Sequence, residues 1–594
     1  MHFSKRIVFY LIPFLLLSIP HLLPGQIYYT RPDTSRNYFR TDFYKQLTTW
    51  DWQGQMDIAS IRDSAWNWQF SELFQSNLLI PALGSKKWKD EHQFRGSVYY
   101  KQPDFDYGLY ANSWYQSDEQ GSGNNEFGNQ AIGLFSSYKY KNLATLTPYT
   151  GYQQSKNRNI VDWGWDVGLK GGITNFRLGD YRTTTELESN YDFYDKRQNF
   201  DNTIRIGTFT QFNEYTSDSL SFDYNETSKQ YYSDESDRSN LTKVKIYDRQ
   251  VKNRLYYLFS PANRFLMGTL IQSRDLDFVT KRNIFYLENE LSFMHFGPTL
   301  NYRIGLRTND ETQNNTKTIT DSRTRQTALN LRLGYIFDPD KNLDLDIAYV
   351  KMQYDTPDKE NNDDRDEQRY IFKAEYYQRF SPLLYMTWTA YAYLFHQIYI
   401  YAEQSQNNNW NRVFELNPKV YYKYDRISNM LSTSVLANYS VYDFEELFFQ
   451  TRSFVFRLYT FADSLSYRMF GENYAGLFTR IELEDKGSFF QKEFAQQLVQ
   501  SYRSNFYNLY LENNNFLNFD IRIGYTIYQR REWRHIPVKS RARDITNEGP
   551  YLSIAYKTSK KLTFASYAAF TKSRDSNTRS TRYMTGYLRL FYNL

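Results

Sequence analysis

The side chains that could carry chemistry are few and scattered. Histidine occurs six times, as His2, His21, His92, His295, His396 and His535. None has the HExxH spacing that would aim two imidazoles at one zinc ion, and neither a GxSxG elbow nor a glycine-rich phosphate loop is present. Cysteine is absent, which excludes disulfide staples, cysteine–zinc sites and thiol nucleophiles. The run Asp355–Glu367 gathers seven carboxylates but lacks the glycine and spacing of a calcium loop, so it reads as a solvated loop. The sequence therefore points to no enzyme, metal or cofactor.

The more informative polar residues are charges set between large apolar ones. Arg303 and Arg307 alternate with Leu300, Tyr302, Ile304 and Leu306. Arg332 alternates with Leu329, Leu331, Leu333, Tyr335 and Phe337, and Asp344 and Asp346 with Leu343, Leu345, Ile347 and Tyr349. Asp520 and Arg522 interrupt Leu517, Phe519, Ile521 and Ile523 in the same way. Lys373, Glu375 and Arg589 follow the pattern. A period of two places the sets on opposite faces of a β-strand, so these charges share one face. A separate basic stretch, Arg530–Arg543, carries Arg530, Arg531, Arg534, Lys539, Arg541 and Arg543 and reads as a loop suited to phosphate groups.

The same alternation recurs along most of the chain. Composition agrees with it: 19% of the 594 residues are aromatic, with 56 Tyr and 45 Phe, yet 23% are charged and the mean hydropathy is −0.72. Disordered chains have few aromatics, and helical membrane proteins need apolar runs of about 20 residues. A net charge of +6 is too weak a bias to imply nucleic acid. Lys5 and Arg6, an uncharged stretch Ile7–Leu23 broken by Pro13 and Pro20, and Pro24-Gly25 read as a secretory signal peptide over residues 1–25. Residues 26–64 are expected to form an N-terminal periplasmic segment.

Connections fall into two kinds. Short turns are expected near Gln102–Asp104, Lys141–Asn142, Gly171–Thr174, Ser260–Asn263, Gly297–Pro298, Asp338–Asn342, Ser381–Pro382, Asp425–Asn429 and Thr558–Lys561. Between them lie longer polar stretches near Ser117–Asn129, Asn190–Gln198, Ser228–Lys243, Asn309–Arg325, Thr356–Gln368, Glu403–Asn411 and Arg530–Gly549. Pairs such as Tyr99-Tyr100, Tyr376-Tyr377 and Tyr421-Tyr422 sit at strand ends, where interfacial aromatics belong. The charge-free stretch Phe380–Ala402 is rich in Tyr, Thr, Ile and Trp and reads as a strand after a turn at Ser381-Pro382. Two segments break the pattern. Ile61–Phe74 fits a short helix capped by Asp63 or Ser64, or a strand with Trp66, Trp68 and Phe70 alternating. Lys486–Ser501 fits a helix capped by Ser488, with Phe490, Phe494 and Leu498 four apart.

With these features the chain resembles the general class of Gram-negative outer-membrane β-barrel proteins, over residues 65–594. The final alternation, Met584, Gly586, Leu588, Leu590, Tyr592 and Leu594, stands where that class carries its insertion signal. The expected fold is all-β: one large closed antiparallel transmembrane barrel of about 24 strands (22–26), with one or two short helices. The resemblance implies an outer-membrane location, surrounding lipid and lipopolysaccharide, and insertion by the barrel-assembly machinery. The charged faces then line a lumen. A channel, transporter or exporter for polar solutes is the expected function; a non-conducting scaffold with an envelope partner and an outer-membrane enzyme are the alternatives.

Overall fold

The computed structural model describes residues 37–60, 65–81, 84–119, 125–141, 143–233, 240–316, 321–358, 361–447, 451–556 and 561–593. The expected signal peptide, Asp63, Ser64 and Leu594 lie outside these residues. In chain order the strands are β1 Tyr38–Gln46, β2 Thr49–Ala59, β3 Trp66–Leu79, β4 Lys87–Lys101, β5 Phe105–Asp118, β6 Asn125–Tyr140 and β7 Ala144–Asn157. Next come β8 Ile160–Leu178, β9 Tyr181–Tyr194, β10 Gln198–Asn213, β11 Thr216–Tyr232, β12 Leu241–Ser260, β13 Asn263–Asp277 and β14 Lys281–Phe296. They are followed by β15 Leu300–Asn315, β16 Ser322–Asp338, β17 Lys341–Asp355, β18 Arg365–Ser381, β19 Leu384–Tyr399, β20 Asn409–Tyr424 and β21 Ile427–Tyr442. The last seven are β22 Phe454–Phe470, β23 Asn473–Phe490, β24 Ala495–Phe516, β25 Phe519–Arg534, β26 Ser540–Tyr556, β27 Leu562–Asp575 and β28 Thr578–Asn593.

Each strand pairs antiparallel with its chain neighbours, and β1 pairs with β28 from Tyr38 opposite Asn593 to Lys45 opposite Gly586. The 28-stranded sheet is therefore closed. An even count puts the start of β1 and the end of β28 on one rim. On that rim most connections take two or three residues, as at 214–215, 339–340 and 471–472. The longer ones, such as 356–364, 400–408 and 443–453, lie on the opposite rim. This is the asymmetry of an outer-membrane barrel.

The polar face lies inside. A concave wall crowds its side chains, and on β5–β9 this face buries Asn112, Asn129, Gln153, Asp166, Asn190 and Asp192 together with Tyr110, Ala131, Phe135 and Tyr149. The other face presents Leu109, Ile132, Leu134, Trp163, Trp165, Leu329, Ile347, Phe372 and Ile523, all exposed, as a hydrocarbon-facing wall requires.

Several expectations are corrected. The barrel holds 28 strands, not about 24, because many long-rim connections are also tight: 158–159, 195–197, 278–280 and 576–577 take two or three residues each. The barrel begins at Tyr38 rather than Ala65, since β1 and β2 lie within the stretch expected to be periplasmic and β1 closes the sheet. Residues 66–74 belong to strand β3. Lys486–Ser501 is no helix but the end of β23, a turn at 491–494 and the start of β24. Around that turn Phe489 and Phe494 stand at 5.5 Å and pack on Tyr439. Gly171–Thr174 is no turn either: it runs through β8 beside a bulge between Ile173 and Phe176, and the chain reverses at Gly179-Asp180. Glycine in a strand marks a bulge as readily as a turn. Phe380–Ala402 gives the expected turn and strand. The helices of the described residues are Ala402–Ser405 and a 3-10 turn at Glu445–Leu447, both in long-rim connections. None is long and apolar enough to cross a membrane.

Leu331 lies mid-strand on the outer face, opposite Ile304 and Ile347. Leu331→Arg should lower folding stability in bilayers by ~2–4 kcal/mol, whereas Asn330→Arg on the inner face should be tolerated. Heat-modifiable gel migration after refolding reads both; equal damage at the two positions would mean that the sheet is buried on both faces.

Candidate functional site

The inner wall of β14–β18 brings together most of the expected lumen charges. Register decides who meets whom. Arg303 on β15 stands directly opposite Arg332 on β16, so two guanidiniums would crowd one spot. Each turns away: Arg303 reaches Glu290 on β14 at 2.6 Å, and Arg332 reaches Asp346 on β17 at 2.6 Å. Arg307 pairs with Glu288, also on β14, at 2.5 Å. Lys373 bridges to Glu375 along β18 at 3.1 Å, relieving the juxtaposition of Glu375 with Asp344 across β17–β18. Arg303, Arg307, Arg332, Asp346 and Lys373 line one recess of about 600 Å³ together with Glu290. Glu288 and Glu290 escaped the sequence reading, although the alternation Leu287-Glu288-Asn289-Glu290-Leu291 carries the same signal.

The remaining charges are elsewhere on the wall. Arg522 on β25 pairs with its register partner Glu512 on β24 at 2.8 Å and lies over the Tyr510 ring. Asp520 makes no ion pair among the described residues. Arg589 on β28 crosses the closing seam to Asp42 on β1 at 3.7 Å and to the Tyr44 hydroxyl at 3.0 Å. In this set Arg332 takes an aspartate, Asp346, whereas Arg303, Arg307 and Arg522 take glutamates. All these pairs join neighbouring strands or run along one. The basic side chains stay open to water, Arg332 at 77%, while their carboxylates are more covered and Asp42 is almost fully buried. Pairs of this kind contribute about 0–1 kcal/mol each.

The basic stretch Arg530–Arg543 is not one loop. It comprises the ends of β25 and β26 and a connection of five residues, 535–539. Alternation then sends its cations to both faces. Arg531 follows Ile523, Tyr525 and Ile527 on the outer face, and Arg541 stands opposite Trp533 on that face. Arg530, Arg534 and Arg543 follow the inner face, where Arg530 meets Glu532 at 2.9 Å and Arg543 pairs with Asp575. Arg541 pairs with Asp544, and Lys539 lies in the connection itself.

The histidines stay apart. His92 meets Glu72, His295 meets Asn263, His396 meets Asp443 and stacks on Trp410, and His535 meets Ser501. No group of three or more metal-ligating side chains occurs among the described residues.

One inner sector was not foreseen. Tyr110 on β5 lies flat across Gly133 on β6 and Gly151 on β7, and its hydroxyl donates to Asp166 on β8 at 3.0 Å. Tyr149 on β7 crosses Gly168 on β8 and donates to Asn190 on β9 at 2.9 Å. Gln153 donates to Asp192 at 2.8 Å. The glycines leave room for rings to span two or three strands. A Cβ at Gly133 would stand 2.6 Å from the Tyr110 ring and nearer still to the Thr150 carbonyl oxygen, so only part of the crowding there is the ring's. The sequence signal, an inward Tyr with Gly on the following strands, is legible only once register is known.

No family model matches the chain, and no curated protein matches it. Among solved structures it is similar to the siderophore receptor PirA from Pseudomonas aeruginosa, with 9% identity, 72% of this chain and 86% of that chain covered, and a TM-score of 0.33. It is similar to the alcaligin outer-membrane receptor FauA from Bordetella pertussis, with 11% identity, 81% of each chain covered and a TM-score of 0.36. It is also similar to the FrpB iron transporter from Neisseria meningitidis, with 9% identity, 94% and 83% covered and a TM-score of 0.37.

Gly133→Ala should push Tyr110 off its path and cost about 1–3 kcal/mol by overpacking. The check is the temperature of heat modification, which should fall; Gly133→Ala combined with Tyr110→Ala should recover part of the loss, and no recovery would exclude the ring contact as the cause. The closed sheet, its apolar outer face and its rim asymmetry make this chain an outer-membrane β-barrel protein of the Gram-negative class.

Proposed function

We propose that the protein is a water-filled channel or transporter for polar solutes. The observation that carries this reading is the lateral, exposed pairing of the lumenal charges on β14–β18. A sealed bore would match charges across the lumen between distant strands; here Arg303, Arg307, Arg332 and Lys373 take carboxylates of their own wall, and their side chains remain exposed. Size supports the same reading. Barrels of 16–18 strands already leave an aqueous channel, and this one has 28. Among the described residues every strand belongs to the wall, and no separate domain stands inside it.

The scaffold alternative draws on the β5–β9 sector, where Tyr110 and Asp192 are almost fully buried on the inner face. Conductance separates the two. Purified protein in planar bilayers should conduct. The double variant Arg303→Gln/Arg332→Gln should shift the reversal potential toward cations and leave the temperature of heat modification unchanged, because exposed pairs add little stability. A fully insulating barrel whose stability drops in this variant would establish the scaffold.

For the outer surface, we infer that Arg531 and Arg541 meet phosphate groups of lipopolysaccharide. Arg531 stands opposite Arg503 on β24, and neither makes an ion pair among the described residues. Like charges facing each other on an outer wall are offset by an external anion. Arg503→Gln/Arg531→Gln should reduce the lipid phosphate that copurifies with the barrel; an unchanged phosphate content would remove this inference.

A further inference from the structure

A second recess, of about 430 Å³, opens on the inner wall of β9–β12, toward the rim that holds the start of β1 and the end of β28. Arg182 on β9 and Lys252 and Arg254 on β12 line it, with the hydroxyls of Thr184, Ser219 and Ser221, and no carboxylate takes part. Register explains its shape. Gly207 on β10 stands between Thr184 and Ser221, so the middle of the floor has no side chain. Lys252 is opposite Ser221 and Arg254 opposite Ser219, which sets both cations along one side. Arg182 closes the other side and faces Arg177 on β8, a like-charge pair across two strands.

The nearest acids of this face are already committed. Glu186 on β9 and Asp223 on β11 both turn to Arg205, at 3.3 and 3.8 Å. On β14, Glu288 acts on Lys252 across β13 but takes Arg307, and Glu290, across Gly268 from Arg254, takes Arg303. Arg177, Arg182, Lys252 and Arg254 make no ion pair among the described residues. Elsewhere on the inner wall Arg303, Arg307, Arg332, Lys373 and Arg522 each have a carboxylate within reach. Three cations without an ion pair around a hollow with no side chain at the middle of its floor, and Arg177 beside them, repel one another, and a multidentate anion relieves that repulsion. Two guanidiniums and an ammonium suit the planar or tetrahedral oxygens of a carboxylate, sulfate or phosphate. A cation is repelled here, and a neutral solute gains nothing from the charges.

We propose that this recess binds the oxyanion group of a small solute on its way along the bore. The site deepens the channel reading and rests on it for its role, but not for its chemistry. The test uses the full-length barrel in detergent, with inorganic phosphate as the probe and calorimetry as the readout. Wild type should bind phosphate, and Lys252→Gln/Arg254→Gln should bind it about tenfold or more weakly, the scale expected for losing hydrogen bonds from charged donors. Gly207→Leu keeps the three lining cations but fills the floor, and it should lose binding equally. Heat-modifiable migration confirms that both variants fold. Lys252→Arg/Arg254→Lys should retain binding. No phosphate binding by wild type, or equal affinity in wild type and both variants, would overturn the site. In bilayers, phosphate should reduce chloride current through wild type and not through Gly207→Leu. A barrel that binds phosphate in detergent yet never conducts would leave the site in place and remove the channel.

Discussion

The constraint on which everything else depends is that hydrocarbon offers a backbone no hydrogen bonds. A strand in the bilayer must pair on both edges, so the sheet has no option but to close. Closure here joins residues at opposite ends of the chain: β1 and β28 meet over eight register pairs, and Lys45 donates to the Met584 carbonyl at 3.1 Å. The inner side of the seam is held by charge and ring contacts. Asp42, almost fully buried, lies between Arg40 at 2.6 Å and Arg589 at 3.7 Å, while Tyr38 stacks on Phe591 and Tyr44 packs on Tyr587. Once the seam is fixed, so is the face to which every side chain belongs, because a slip of one residue would turn a whole strand inside out.

That dependence explains what could be read beforehand. Alternation is local, so the apolar and polar faces of β15, β16, β17 and β25 were legible from the residues alone. The rim asymmetry was legible too, since polar clusters such as 356–364 and 400–408 look unlike two-residue turns. Strand number was not, because it depends on tight connections that carry no distinctive composition, such as Arg158-Asn159 and Ser576-Asn577. The bulge in β8 and the β23–β24 hairpin misled for a shared reason. Glycine and aromatic spacing report local backbone freedom and packing, and both serve more than one conformation.

The candidate site was legible as a set of residues and not as a set of contacts. Arg303 and Arg332 were rightly placed on one face, but which carboxylate each takes is decided by neighbouring strands. Arg303 turns to β14 because β16 presents another arginine at its level. The basic stretch 530–543 shows the converse. Six cations close in sequence look like one patch, yet two strands and a five-residue connection distribute them to opposite sides of the wall. Sequence proximity is a poor guide to spatial proximity wherever the period is two.

The inner wall is therefore uneven in a way that bears on transport. In β5–β11 polar contacts span several strands: Tyr110 reaches Asp166 three strands away, and Tyr232 on β11 reaches Asp162 on β8 at 2.8 Å. Such long contacts need glycine gaps beneath the rings, and they bury the groups that make them. In β14–β18 every ion pair among the described residues joins neighbours in the sheet or lies within one strand, and the charges remain wet apart from Glu367, which Arg365 and Arg369 cover. A packed sector fixes the wall's curvature because its side chains cannot spread without losing hydrogen bonds. A wet sector leaves charge where solute and water can reach it, and exchanging a weak, hydrated pair for a solute contact costs little. A lumen built to be sealed would show the first pattern all the way round; the second pattern, on five consecutive strands, is what a surface for passing solutes requires.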